Sequence, residues 1–425
     1  MKISEDQIKS LNAAKITEHQ TKLAPLKERL ELRGFDTGNI IRRLRSFQVA
    51  IPSWALGTGG TRFGRFPGGG EPRSLEEKLE DIGLLNTLNQ SSGAVSLHIP
   101  WDIPEDPEGT RALADDLGIK FDAVNSNTFQ DQPGEKHSYK FGSLSHVNKD
   151  VRAQAIAHNK EVIDYGAKLG SKALTVWLAD GSSFPGQNNF MKAFSNTKDS
   201  LESIYDHMPD DWKMLIEYKP YEPNFYSMVI PDWGTSHLLA TKLGQRAYSL
   251  VDLGHHLPNT NIEQIVALLM HVGKLGGFHF NDSKYGDDDL TVGSLKPYQL
   301  MLIFNELVLG LASDPKLEIS WMIDASHNLK DPLEDLIQSV EAIKIAYAQA
   351  LIIDHKLLQM AQESNDVTLA QEILQDAFRT DVRPLLAEAS RESNGSLHPL
   401  LTYRKLKVRE HLIKERGNKT YSTGL

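Results

Sequence analysis

Eight short apolar runs, separated by helix-like stretches, constrain this chain more than any other feature. They cover residues 46–52, 94–99, 120–125, 173–178, 214–218, 247–253, 277–281 and 318–323. Each is short for a helix and long enough for a strand, and reads as a strand buried on both faces. Between them lie helix-like stretches at 74–89, 150–169, 191–207, 235–243, 262–275 and 295–312. Ser74 with Glu77 makes a capping box at the start of the first of these. Strands that alternate with helices imply parallel pairing, and eight such units fit a closed barrel. The expected fold class is α/β: a (β/α)8 TIM barrel with an N-terminal helix and a C-terminal helical extension. A doubly wound open sheet is the main competitor.

The expected divisions are a helical segment at 1–45, the barrel at 46–332 and a helical extension at 333–425. Ile8, Leu11, Leu23, Leu26 and Leu30 give residues 4–33 a helical rhythm, which Pro25 is expected to break or kink. Helices are expected at 333–364, 368–391 and 399–416, with no strands between them.

Charge and composition exclude several function classes. The formal net charge is −10, which disfavours nucleic acid, whose phosphates demand Lys/Arg stripes. Cysteine is absent, so disulfides, thiolate-bound zinc and iron–sulfur chemistry are excluded. No run of about 18 apolar residues occurs, so no membrane span is expected. The N-terminal residues are polar and lack the apolar middle of a signal peptide, which makes a cytoplasmic location the expectation.

Polar residues cluster where the apolar runs end. Glu217, Asp252, His279 and Asp324 close four successive runs. In a parallel barrel that is the C-terminal face, where active sites are built. Three carboxylates and an imidazole converging there make a four-ligand site for a divalent cation. The plain alternative for any one of them is a strand-end polar residue that caps the next helix. His255, Asp287 and Asp289 form a second set, since alternate side chains of an extended Asp-x-Asp loop point the same way. A solvated acidic loop is the plain alternative there. Oxygen-rich ligation with one imidazole per site suits Mn²⁺, Co²⁺ or Mg²⁺.

Lys219 shares a strand face with Glu217 and could stabilise a developing alkoxide, or could merely pair with a carboxylate. His98 closes the second run. Trp54, Trp101, Phe129 and Trp177 stand at or just past strand ends, where aromatics stack on sugar rings or pack the core. The Gly-rich segment 57–70 matches neither a P-loop nor G-x-G-x-x-G, and reads as a mobile lid carrying Phe63 and Phe66.

These residues resemble those of the L-rhamnose isomerases, specifically the branch with broad aldose specificity, within the xylose-isomerase-like barrels. The resemblance covers roughly residues 45–330. It rests on Phe47–Trp54, the Gly-rich segment, His98–Asp102, Ile216–Pro220, Val251–His256, Gly277–Asp282 and Ile323–Ser326. It implies two divalent ions per subunit, Mn²⁺ foremost. Glu217, Asp252, His279 and Asp324 would hold one, and His255, Asp287 and Asp289 the other. Lys219, Asp324 and His98 become catalytic candidates. Trp54, Phe63, Trp101, Phe129, Trp177 and Ser326 become substrate-binding candidates. It further implies a homotetramer in which Phe63 reaches a neighbour's active site.

The expected function is therefore aldose–ketose isomerisation, L-rhamnose to L-rhamnulose, with other aldoses such as D-allose as further substrates. Three alternatives stand beside it. A ketose 3-epimerase on the same barrel would need only one metal. A metal-dependent apurinic-site nuclease would need basic charge. A non-catalytic sugar-binding protein would need neither Lys219 nor two cations.

Overall fold

The computed structural model describes residues 2–57, 66, 68–326 and 329–419. Eight strands pair in parallel, each with the next in sequence, and the last closes onto the first. They are β1 (Ala50–Pro52), β2 (Ala94–Ile99), β3 (Lys120–Ser126), β4 (Ala173–Trp177), β5 (Lys213–Glu217), β6 (Ala247–Asp252), β7 (Leu275–Phe280) and β8 (Ser320–Ile323). The expected (β/α)8 barrel is the observed one.

Strand alternation divides the core into two parts. Met214 and Ile216 of β5, Val251 of β6 and Phe278 and Phe280 of β7 pack outward with the helices in the main core. Leu215 and Leu250 turn inward with Ala123 and Ala173, and Ala50 and Met322 form an adjoining inner cluster. A Cβ on Gly277 would lie 3.2 Å from both Leu215 and Leu250. Glu217, Asp252, His279 and Asp324 each follow one of these inner positions by two residues. The side-chain period of two therefore stands them directly above the apolar plug, at the barrel mouth.

Several local expectations shift. Pro25 lies inside one continuous helix, Ile16–Leu32, and the break falls earlier, after Glu5–Ala13. Burial of Leu23, Leu26 and Leu30 outweighs the one hydrogen bond that the proline removes. Strand β1 is three residues long: Ser46 ends a helix, Thr37–Ser46, capped by Asp36, and residues 47–49 link that helix to the strand. A small antiparallel pair, Gly181–Ser182 with Ser227–Met228, bridges the loops after β4 and β5.

Each expected tail helix is divided in two. The observed helices are Pro332–Leu351, His355–Glu363, Val367–Arg379, Arg383–Glu392, Pro399–Lys405 and Val408–Arg416. Asp354 caps a fresh start, Pro384 forces one, and Lys407 takes a left-handed conformation between the last two. Among the described residues, no single helix is long and apolar enough to cross a membrane.

The N-terminal and tail helices are tied by a polar contact. His19 Nε2 lies 2.9 Å from Glu388 Oε2, and Arg391 donates two 2.8 Å bonds to the same carboxylate. The Arg391 guanidinium holds Glu388 down at about 2, against burial and with help from His19. A depressed carboxyl contributes stability above its ordinary value and loses it as pH falls through the folded value. Glu388→Gln is therefore expected to lower the unfolding midpoint at pH 7. That deficit should shrink as pH falls from about 4.5 to about 2. Denaturation curves of both proteins across that range check it; a pH-independent deficit would contradict the ion pair.

Candidate active site

Asp252 ends β6 beside His279 of β7, and Met322 of β8 lies on His279's other side. Glu217 ends β5, one strand beyond Asp252. His279 Nδ1 is the focus. It lies 3.0 Å from Glu217 Oε1, 3.4 Å from Asp324 Oδ2 and 3.6 Å from Asp252 Oδ2. Burial pulls the imidazole's pKa down, but the three carboxylates outweigh it and hold it well above the ordinary value. One ligand atom from each of the four lies within 4.8 Å of the others.

The carboxylates are oriented by donors behind them. Asp252 Oδ1 accepts from Gly254 N at 2.7 Å, Asn281 Nδ2 at 2.9 Å and His255 N at 3.2 Å. Its Oδ2 is buried and, among the described residues, has no hydrogen-bond partner. Asn281 also donates to the Asp324 carbonyl at 3.2 Å, and Trp54 Nε1 donates to Asp324 Oδ1 at 3.1 Å. One oxygen of Asp252 is thus fully engaged while the other is left for an incoming group. An orphaned carboxylate oxygen within an O,O,O,N donor set fits a hard-to-borderline divalent cation.

The second set assembles in part. His255 Nε2 lies 3.2 Å from Asp287 Oδ1, and His255 Nδ1 lies 3.3 Å from Glu217 Oε1. Burial lowers the His255 pKa, but Asp252, Asp287 and Glu217 together raise it to about 9. Among the described residues, the atoms within 4.8 Å of one another belong to Asp252, His255 and Asp287, without Asp289. Asp289 has φ +50, so the loop is not extended there and strict alternation with Asp287 is lost. It is still close enough that burial, then Asp287, Asp324 and Asp252, hold its carboxyl well above the usual range.

Lys219 is almost fully buried, and its ammonium bridges two carboxylates: Asp287 Oδ2 at 2.5 Å, and Glu222. It also sits 5.2 Å from the Trp177 ring centroid. Burial depresses its pKa, but Asp287 and Glu222 outweigh that and raise it. Glu222 carries no sequence signal beyond its spacing from Lys219, since the intervening Pro220 turn decides whether the two meet.

The aromatics form one wall. Trp54 meets His98 edge-on at 5.5 Å, and His98 stacks on Trp101 at 3.9 Å. Phe129 touches His98 at 5.7 Å and Trp177 at 4.7 Å. Trp177 stacks near His255 at 6.4 Å. Burial, with His158 and Lys78, pushes His98 down to about 3, which favours the neutral imidazole, and its Nδ1 is buried without a partner among the described residues. Ser326 is buried two residues past Asp324. Phe63 lies outside the described residues.

Sequence reading gave no role to Asp102. It is buried, and its carboxylate accepts from Ser53 Oγ at 2.5 Å, Lys78 Nζ at 2.6 Å and His98 N at 2.8 Å. It thereby fixes the turn that carries His98 and Trp101.

No family model matches the chain. A probable sugar isomerase of Rhizobium meliloti is 52% identical over 392 residues, covering 92% of this chain and 91% of that protein. Another, of Mesorhizobium japonicum, is 50% identical over 423 residues, covering 99% and 98%. The chain belongs to the sugar isomerase family. A solved L-ribulose 3-epimerase has a TM-score of 0.50 at 13% identity, over 72% of this chain and 95% of that one. That likeness shows the shared barrel. Within a sugar isomerase, the polar groups and aromatic wall at the barrel mouth are the candidate active site.

Asp102 provides a structural test. Asp102→Ala leaves the buried Lys78 ammonium without its carboxylate, and breaking a buried pair costs about 3–5 kcal/mol. The unfolding midpoint in denaturant is expected to fall accordingly. An unchanged midpoint would show that Lys78 escapes to water.

Proposed function

We propose that the protein is a two-metal aldose–ketose isomerase that converts L-rhamnose to L-rhamnulose and also accepts other aldoses such as D-allose. The observation that carries this reading is the convergence of Glu217, Asp252 and Asp324 on His279 Nδ1, beside the aromatic wall. The choice of L-rhamnose rests on the resemblance of the strand-end segments.

Glu217, Asp252, His279 and Asp324 would hold one divalent ion. His255 and Asp287, with Asp289 nearby, would hold a second. When bound, such ions, Mn²⁺ foremost and Co²⁺ or Mg²⁺ as alternatives, act as Lewis acids that polarise the sugar's oxygens. The remaining work falls to side chains. Trp54, Trp101, Phe129 and Trp177 line the apolar side of the sugar and exclude water. His98, neutral and with a free Nδ1, offers a hydrogen bond to a sugar hydroxyl or ring oxygen. Lys219 stabilises negative charge that grows on the oxygens of C1 and C2 as hydrogen moves between those carbons. Asp324, the most exposed of the four proposed ligands at 27% of its side chain, would take a proton if the transfer runs through an enediol. A homotetramer is the proposed assembly, checked by light scattering in solution.

Removal of metal with EDTA is expected to abolish ketose formation from L-rhamnose, and added Mn²⁺ to restore it. Product analysis separates the readings: an epimerised ketose in place of a new ketose from an aldose would replace isomerisation with epimerisation. Full activity in metal-free protein would overturn both.

Lys219→Met tests the charge-stabilising role. An interaction made chiefly in the transition state appears in kcat more than in KM. Loss of one oriented donor costs about 10²–10³ in rate. The variant is expected to lose kcat on that order while KM and metal content hold. Because Lys219 also pairs with Asp287, metal content is the control. Unchanged kcat would reduce Lys219 to a salt-bridge partner.

A further inference from the structure

A second cavity lies at the opposite end of the barrel from the candidate active site. It has a volume of about 290 Å³ and sits between the helices Ile16–Leu32, Pro332–Leu351 and Arg383–Glu392. Asn89 on its lining, like Ser91 nearby, precedes the first residue of β2, whereas His98 lies near that strand's far end. Six residues of strand span about 20 Å. The volume is near the lower end of small-molecule pockets, at about 300 Å³.

Lys344 lines this cavity and is 5% exposed. Its Nζ donates to Ser91 Oγ at 2.7 Å, and among the described residues no carboxylate pairs with it. Burial alone acts on it and pulls its pKa down to about 8. The neighbouring charges are already matched: Lys22 with Glu18 at 2.8 Å, Arg383 with Asp381 at 2.7 Å, and His19 with Glu388 at 2.9 Å. Glu341, also on the lining, is exposed as a residue, yet burial of its carboxyl raises its pKa, and the cation that acts on it is Arg383; among the described residues it makes no ion pair with Lys344. Ser390 Oγ is buried at the lining and, among the described residues, has no hydrogen-bond partner. A buried ammonium with one neutral partner is costly, because among the described residues two of its three donors have no acceptor and its charge has no counterion.

We propose that this cavity binds a small hydroxylated anion, a phosphate or carboxylate whose anionic group meets Lys344 and whose hydroxyls meet Ser390. The anion supplies the missing counterion, and the neutral hydroxyls of Ser91 and Ser390 complete its hydrogen bonds. The proposal is independent of which sugar the barrel mouth isomerises.

Titration calorimetry on the full-length protein tests it with three probes: inorganic phosphate, glucose 6-phosphate and gluconate. Saturable binding of at least one is expected. Tighter binding of glucose 6-phosphate points to a phosphate monoester, and tighter binding of gluconate to a sugar acid. Lys344→Met is expected to weaken binding by about tenfold or more, the loss of one charge-assisted hydrogen bond. Ser390→Val narrows the cavity without altering its charge, is expected to weaken binding too, and serves if Lys344→Met does not fold. Lys219→Met, at the other end of the barrel, is expected to bind as the wild type does. The proposal is overturned if the wild type binds none of the three. It is equally overturned if both cavity variants bind like the wild type, or if Lys219→Met abolishes binding.

Discussion

Three carboxylates held within 3.6 Å of one imidazole nitrogen are the constraint on which the rest of this structure depends. Like charges brought that close in a buried site repel strongly, because little water remains to screen them. A chain gathers them only if the backbone leaves no alternative. The parallel barrel supplies that compulsion. Its ladders lock Asp252 beside His279 and Met322 beside His279, and the two-residue side-chain period lifts Glu217, Asp252 and Asp324 above the inner apolar layer. Displacing one acid from the cluster would mean slipping a strand, and a one-residue slip would turn the whole strand inside out. The apolar core thus holds a charge arrangement that is unfavourable on its own and useful to a cation.

The donors around the cluster divide the available lone pairs between structure and chemistry. Asp252 Oδ1 takes three donors while Oδ2 takes none. Asp102 also accepts three bonds but spreads them over both oxygens, Lys78 on Oδ1 and Ser53 with the His98 amide on Oδ2. The two aspartates are similarly buried and accept the same number of bonds; they differ in allocation, since Asp252 concentrates its partners on one oxygen and Asp102 uses both. Asp287 lies between these cases, since it faces both His255 and Lys219. His255 and Lys219 outweigh burial and hold its carboxyl well below the usual range.

The barrel was legible because its signal is repeated eight times and each run is apolar on both faces. The convergence of Glu217, Asp252, His279 and Asp324 was legible because strand ends in a barrel must meet. What escaped was set by loop geometry. Asp287 and Asp289 looked equivalent on the assumption of an extended loop, which the left-handed backbone at Asp289 breaks. Glu222 meets Lys219 across a turn that spacing alone does not specify. The tail helices looked longer than they are because helical periodicity runs on through Asp354 and Lys407, while capping at one and a left-handed residue at the other end the turns. Pro25 misled in the other direction, since a proline marks a helix end only where packing does not override it.

The tail meets the barrel mouth chiefly through Arg409. Arg409 donates to both oxygens of Asp331, at 2.5 and 3.0 Å, and to the carbonyls of Gly69 and Gly70 at 3.1 and 3.2 Å. Asp331 caps the helix that follows β8, and Gly69 and Gly70 end the Gly-rich segment that follows β1. Those two strands are neighbours in the closed barrel. The contact is tight enough to require glycine: Gly70 has φ +71, and a Cβ there would fall 2.8 Å from the Ile413 nitrogen. Tyr403 adds a 2.6 Å bond to Asp331, and Arg416, buried against Asp81, reaches the same Gly70 carbonyl. The last two helices therefore join Asp331 to Gly69 and Gly70, on the chain segments that follow Asp324 and Trp54, residues that themselves hydrogen-bond at 3.1 Å. An element far from the site in sequence in this way sets the spacing of one edge of it, and a change at Arg409 would reach the site through the position of Asp324 without touching any ligand directly.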